Sequence, residues 1–301
     1  MRAAPTIVEV GPRDGLQNES AHLSTADKIA FITRLVQAGL TRIEATGFVH
    51  PRRVPALADA EGVMAGVPRS DAVSYIGLVL NERGLLRALD AGVDEVNVVL
   101  VASETFSLRN QNMGIEESLR SFETIAGKAR DSGLQVSATI GAAFGCPFEG
   151  EVSTERVVAI AKRAANTGAH EIAIADTIGV GVPSDVRRLA EAVGEVADLP
   201  LRAHFHNTRN TGYANAAAAV DAGVVALDAS AGGFGGCPFA PSATGNIATE
   251  DLVYLLSRSG YETGVDLEAV GAIAATLGDW LGSDVPGLLV RAGGFPDGSV
   301  G

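Results

Sequence analysis

Five stretches are variants of one phrase: AGLTRIEA (38–45), AGVDEVNV (91–98), SGLQVSA (132–138), TGAHEIAI (167–174) and AGVVALDA (222–229). In each, a helical pattern stops on a glycine (Gly39, Gly92, Gly133, Gly168 or Gly223), and an apolar run starts within a few residues. A glycine helix stop that feeds a strand is the junction of a β/α unit. Successive glycines are 53, 41, 35 and 55 residues apart, so the middle two intervals are single units and the outer two each fit a pair.

Working outward from these junctions, strands are predicted at 6–11, 41–48, 71–79, 94–102, 135–144, 170–176, 201–207 and 224–230. Helical patterns lie between them, over 24–39, 54–65, 81–91, 115–131, 154–167, 184–196, 212–222 and 247–258. The first opens on a Ser24/Thr25 cap and closes on glycine. Eight such units close into an α/β TIM (β/α)8 barrel, whose chemistry sits at the C-terminal ends of its strands. A doubly wound sheet ranks lower, because PRDGLQNE (12–19) stands where a G-x-G-x-x-G turn would follow the first strand. The chain reads as one barrel domain over 1–301, with 260–301 as a C-terminal extension. In that extension DLEAVGAIAATLGDWLG (266–282) is an additional helix and PGLLVRAGGFPDGSVG (286–301) a loose tail.

Composition narrows the function. The chain has 301 residues, 47% of them hydrophobic, with 36 acidic against 23 basic side chains and a net charge of −13. That charge opposes non-specific binding to nucleic acid or an anionic membrane, yet leaves room for a small anionic ligand held by local arginines. Cys146 and Cys237 are 91 residues apart and neither lies in a C-x-x-C, so no disulfide framework or thiolate zinc site is expected. With no apolar block at MRAAPTIVEVGPRDG and no long uncharged apolar run, a soluble cytoplasmic protein is expected.

On this scaffold polar residues gather at one mouth: Arg13 and Asp14 after strand one, Glu44 in strand two, Asp176 at the end of strand six, and His204 and His206 at the end of strand seven. In HFHNTRN (204–210), residues i and i+2 of a strand point to one side, so two imidazoles meet one small volume. Such a pair either holds a divalent metal with a carboxylate or consists of one packed and one hydrogen-bonded histidine. Glu44 in an apolar strand either pairs with an arginine or faces the site. Asp176 and Asp228 read equally as helix caps or as acceptors for a histidine N–H. The run AGGFGGCPFAPSATGN (231–246) follows strand eight, where barrels often bind phosphate through backbone N–H groups; a flexible loop is the other reading. Its cysteine would suit a lid.

EVGPRDGLQNE (9–19), IEAT (43–46), the H-x-H at 204–206 and GGFGGCPFAPSATGNIATEDLVYLL (232–256) resemble hydroxymethylglutaryl-CoA lyase, of the DRE-type TIM-barrel metallolyases. The likeness runs from residue 6 to about 280. It implies a Mg²⁺ or Mn²⁺ ion held by Asp14, His204, His206 and Asn246. It also implies that Arg13 steadies an enolate oxygen, Glu44 stands beside the metal, and Cys237 handles protons on a closing loop. Arg13, Gln17 and Asp176 are expected to contact substrate, and His204 to share in catalysis. The implied reaction is cleavage of 3-hydroxy-3-methylglutaryl-CoA to acetyl-CoA and acetoacetate by a homodimer or higher oligomer, the base being either a solvent species at the ion or a histidine near it. The alternatives are a related 3-hydroxyacyl-CoA with another tail, or a Claisen-type acyl-CoA/2-oxo-acid synthase.

The chain departs from the family pattern behind the histidines, where Asn207 and Arg209 replace an acid and an aromatic. One negative charge is lost and a positive one gained, which either tunes metal affinity or selects a different acyl tail, a longer or more acidic one. Ser20 replaces a lysine that would face CoA phosphates, a loss that Arg52 and Arg53 could offset.

Overall fold

Each junction of the repeated phrase carries the left-handed backbone that its glycine foretells, with φ from +69° at Gly92 to +116° at Gly168. At Gly39 a Cβ would stand 2.4 Å from the Gly264 carbonyl oxygen, so the turn needs glycine for space as well as for conformation. The computed structural model describes residues 2–236 and 245–296.

Eight parallel strands close a barrel in chain order: β1 (Thr6–Glu9), β2 (Arg42–Gly47), β3 (Ser74–Val79), β4 (Glu95–Val101), β5 (Gln135–Gly141), β6 (Glu171–Asp176), β7 (Leu201–Phe205) and β8 (Ala226–Ala229). β8 returns to β1 with Val8 beside Asp228. Helices start where the sequence offers a cap: Ser24, Asn81, Ser103 and Ser153 each accept a backbone N–H three residues on. The protein is a TIM barrel with extra C-terminal helices.

Alternation along the strands separates two environments. Outward residues such as Ile43, Tyr75, Val96 and Ile172 join the large core beneath the helices, whereas Val8, Val10, Ile76 and Ala226 form a separate apolar cluster inside the barrel wall. The interior also holds a buried set of charged and polar side chains. Arg42 pairs with Glu95 and Glu171, both at 2.7 Å, and Arg202 with Glu171 at 3.1 Å and Asp228 at 3.5 Å. Burying that many charges is tolerable only because they are mutually paired.

Three features differ from the sequence expectation. A helix, Glu104–Gln111, follows β4; its ETFSLRNQ buries only Phe106 and Ser107, so no apolar period announces it. Arg2–Ala3 pairs with Tyr261–Glu262 as a second, two-stranded sheet. The tail from 286 is docked over its described part: Gly287 N donates to Gly232 O at 2.9 Å, and the N–H groups of Leu288 and Leu289 cap onto Asp251 at 3.0 and 2.8 Å. Backbone groups make these contacts, and side-chain composition carries no trace of them. Among the described residues no helix is long and apolar enough to cross a membrane.

Candidate active site

The first piece of the site is a wide helical turn, Gly11–Gly15, at the end of β1. The N–H groups of Arg13, Asp14 and Gly15 all converge on the Val10 carbonyl at 3.2, 2.7 and 3.2 Å. Turns wound this way often mark functional positions. Here the winding projects Arg13 and Asp14 together over the barrel mouth.

His204 on β7 and His206 just past its end lie on the same side, as the alternation requires, with ring centroids 5.1 Å apart. One ligand atom each from Asp14, His204 and His206 fall within 4.8 Å of one another. Asn246 joins them through a backbone bridge to His206, flanked by Asn207 N to Gly245 O at 3.1 Å and Ile247 N to Phe205 O at 3.2 Å. Its amide donates to Asp14 Oδ2 at 2.9 Å and to Phe234 O at 3.0 Å, while its own Oδ1 is buried without a partner.

Electrostatics suit a cation. Burial would push the Asp14 carboxyl up, but Arg13 and the two imidazoles overcome it and hold the pKa at about 2, so Asp14 is a carboxylate. Burial, with His204 adding to it, drops His206 to about 3 and keeps that ring neutral. Its Nδ1 is buried and unpartnered. At His204 burial again works downward, yet the Asp228 carboxylate at 3.1 Å from Nδ1 raises the pKa. That contact fixes the proton on Nδ1 and leaves Nε2 as the ligand nitrogen. Orphaned lone pairs on Asn246 and His206, beside a carboxylate and a second imidazole, fit a divalent ion with mixed oxygen and nitrogen ligands.

Arg13 lies alongside. Nε donates to Glu44 Oε2 at 2.8 Å, Nη2 pairs with the same oxygen at 2.6 Å, and Nη1 donates to Asp14 Oδ1 at 2.6 Å. Both sequence readings of Glu44 therefore hold together: it pairs with an arginine and it borders the site. The second Glu44 oxygen accepts from Asn97 Nδ2 at 3.0 Å. Gln17, two residues past the Gly11–Gly15 turn, has a buried Oε1 with no partner. Asp176 is buried and its two oxygens take the N–H groups of Val180 and Gly181, both at 2.9 Å, so it shapes the loop after β6 while its charge faces His204.

Cys237 and residues 237–244 lie outside the described residues. At the start of the glycine run Ala231 N donates to Glu9 and Gly232 N to Glu250, both at 3.0 Å, so two buried acidic side chains occupy those two donors. Arg52 and Arg53 are exposed in the turn after β2. Arg209 rests its Nη1 on the carbonyls of Ile178 and Gly179, both at 3.0 Å, at the rim above Asp176. Asp228 takes the second of its two sequence readings, as the acceptor for the His204 Nδ1–H, whereas Asn97, Thr139 and Arg202 were not legible as site residues. A polar side chain inside an apolar strand, as in VNVVLV or two residues before the H-x-H, is the signal that marks them.

The HMGL-like family profile matches residues 4–277. The (R)-citramalyl-CoA lyase of Chloroflexus aurantiacus is 45% identical over 301 residues, covering 96% of this chain and 95% of that one. The hydroxymethylglutaryl-CoA lyase of Pseudomonas mevalonii is 44% identical over 283 residues, covering 93% of each. Among solved structures, an HMG-CoA lyase of Acinetobacter baumannii in complex with coenzyme A and 3-methylmalate superposes with a TM-score of 0.94 at 40% identity, covering 99% of this chain and 98% of the other.

Proposed function

The chain belongs to the HMGL-like family, and from that premise we propose that it cleaves the C2–C3 bond of a short-tailed 3-hydroxy-3-methylacyl-CoA of the citramalyl type, releasing acetyl-CoA and a 2-oxo acid. The protein is a metal-associated, Claisen-type carbon–carbon lyase for an acyl-CoA. The observation that carries the reading is the cluster of Asp14, His204 and His206, with the free Asn246 oxygen and Arg13 at its edge.

The chemistry follows from those groups. The C3 hydroxyl gives up its proton, the C2–C3 electron pair moves into the thioester as an enolate, C3 becomes a carbonyl, and C2 takes a proton. A divalent cation, when bound by Asp14, His204, His206 and Asn246, lowers the pKa of the hydroxyl and neutralises the neighbouring carboxylate. Arg13 keeps a second N–H on each of Nη1 and Nη2 beyond its bonds to Asp14 and Glu44. These are positioned to donate to the thioester oxygen as its charge grows, in a pocket where such a donor contributes about 3 kcal/mol. Glu44 and Asp14 hold the guanidinium still, so it need not reorganise as the charge forms. The buried Gln17 Oε1 is an acceptor for a substrate donor.

The citramalyl-type tail is supported by the (R)-citramalyl-CoA lyase at 45% identity, and Arg209, where the resemblance implies an aromatic ring, adds a positive charge close behind the histidines that suits an acidic tail. Hydroxymethylglutaryl-CoA remains a second reading, on relatives of similar identity. The test is to strip the protein of metals, add back Mn²⁺ or Mg²⁺, and offer both citramalyl-CoA enantiomers and hydroxymethylglutaryl-CoA. Metal-dependent pyruvate formation supports the proposal and acetoacetate supports the second reading. No cleavage, with 2-oxo-acid-dependent release of CoA thiol, would instead make the protein a synthase.

A further inference from the structure

Arg202 lies two residues before His204 on β7 and is 0% exposed. Two parallel routes of donors run from it to Asn97 and on toward Arg13, a longer one through Ser137 at 3.4 and 3.5 Å and a shorter one through Thr139. Arg202 Nη2 donates to Thr139 Oγ1 at 3.2 Å, that hydroxyl donates to Asn97 Oδ1 at 2.8 Å, and the Asn97 amide donates to Glu44 Oε1 at 3.0 Å. Glu44 grips Arg13. On its other side Arg202 Nη1 stands 3.5 Å from Asp228 Oδ1, and Asp228 Oδ2 is 3.1 Å from His204 Nδ1. The path closes at the mouth, where Arg13 rests on Asp14 and Asp14 shares its cluster with His204.

The polarity of this ring is set at one point. A guanidinium has donors only, so Thr139 must accept from it and spend its single hydrogen on Asn97. That fixes the Asn97 amide with its NH₂ toward Glu44. In the same way the charged Asp228 can only accept, which places the proton of His204 on Nδ1. His206 has no partner at its Nδ1 and no such constraint.

We propose that Arg202 is a positioning residue for the lyase reaction, orienting His204 through Asp228 and Arg13 through Thr139, Asn97 and Glu44. The inference rests on Asp14, His204 and His206 being the cation site proposed above.

Three measurements test it: calorimetric titration of metal-stripped protein with Mn²⁺, steady-state kinetics on the cleaved acyl-CoA, and imidazole ¹⁵N spectra of the metal-free protein. Arg202→Met is expected to weaken Mn²⁺ binding about tenfold and to lower kcat with KM within about twofold, as loss of transition-state geometry does. Arg202→Lys, which keeps the charge, should recover part of both. If the methionine variant does not fold, each arm is tested alone. Thr139→Val should lower kcat at unchanged Mn²⁺ affinity. Asp228→Asn, whose amide can donate or accept, should weaken Mn²⁺ and release the fixed Nδ1–H signal of His204. Wild-type protein that binds no Mn²⁺ would sink the cation reading, while the metal-free spectra would still decide the arginine. The proposal is overturned if the variants lower only the melting temperature, leaving Mn²⁺ affinity, kcat and the His204 tautomer as in wild type.

Discussion

Glu44 holds Arg13 through two nitrogens, Nε at 2.8 Å and Nη2 at 2.6 Å, so the guanidinium is locked in plane before any substrate arrives. A cation held this way acts on charge that develops in the transition state more than on the ground state. Arg13→Met is therefore expected to reduce kcat by roughly 10²–10³ while Mn²⁺ affinity, set by other side chains, stays close to wild type. Arg13→Lys should be nearly as damaging, because an ammonium cannot satisfy Glu44 and Asp14 in the same plane. Equal losses in kcat and Mn²⁺ binding would show that the arginine builds the cation site rather than acting on substrate.

Removing the cation should loosen the protein as well as silence it. A ligand that binds only the folded chain stabilises it by about 2.7 kcal/mol at a hundredfold excess over Kd. Calorimetric melting after chelation should show a lower Tm that rises with added Mn²⁺. His206→Ala is expected to abolish that rise, since no other described side chain offers an imidazole in its place.

Arg209 is expected to govern choice of tail. Arg209→Tyr removes the positive charge at the rim and should reduce kcat/KM for the citramalyl-type substrate about tenfold or more relative to hydroxymethylglutaryl-CoA. The two substrates are measured in competition, with products read by mass spectrometry. An unchanged ratio would leave Arg209 as a loop brace on Ile178 and Gly179 and nothing more.

A pH dependence follows from Glu250, whose carboxyl is pushed up to about 8, chiefly by burial. In the unfolded chain it titrates near 4.5, so between those values the folded state binds the extra proton. Stability from this group is full below about pH 4.5 and is lost as the pH rises through about 8. Glu250→Gln, which mimics the protonated form, should be more stable than wild type at pH 8.5, by on the order of 2 kcal/mol. The two should draw level near pH 5. Urea denaturation at both pH values reads the difference, and a gap that widens toward acid would refute the assignment.

What the sequence by itself determined was periodic or contiguous. The glycine phrase at 39, 92, 133, 168 and 223 set the β/α junctions, because helix stops and strand starts are local events. His204 and His206 could be placed together because strand alternation is local too, and Arg13 with Asp14 because they are neighbours at a strand end. The docked segment after 286 was not legible, since backbone N–H groups anchor it to Gly232 and Asp251. The resemblance grouped Asn246 with the histidines and left Asp228 with two readings, and the closed barrel put Asn246 beside His206 and Asp228 behind His204; only the closed barrel decided that Arg202, Thr139 and Asn97 are joined across three strands to Glu44. In one dimension each of those residues is an isolated polar letter in an apolar run. Closure of the barrel turns them into one interior, where an unpaired polar group costs several kcal/mol and each must find the others.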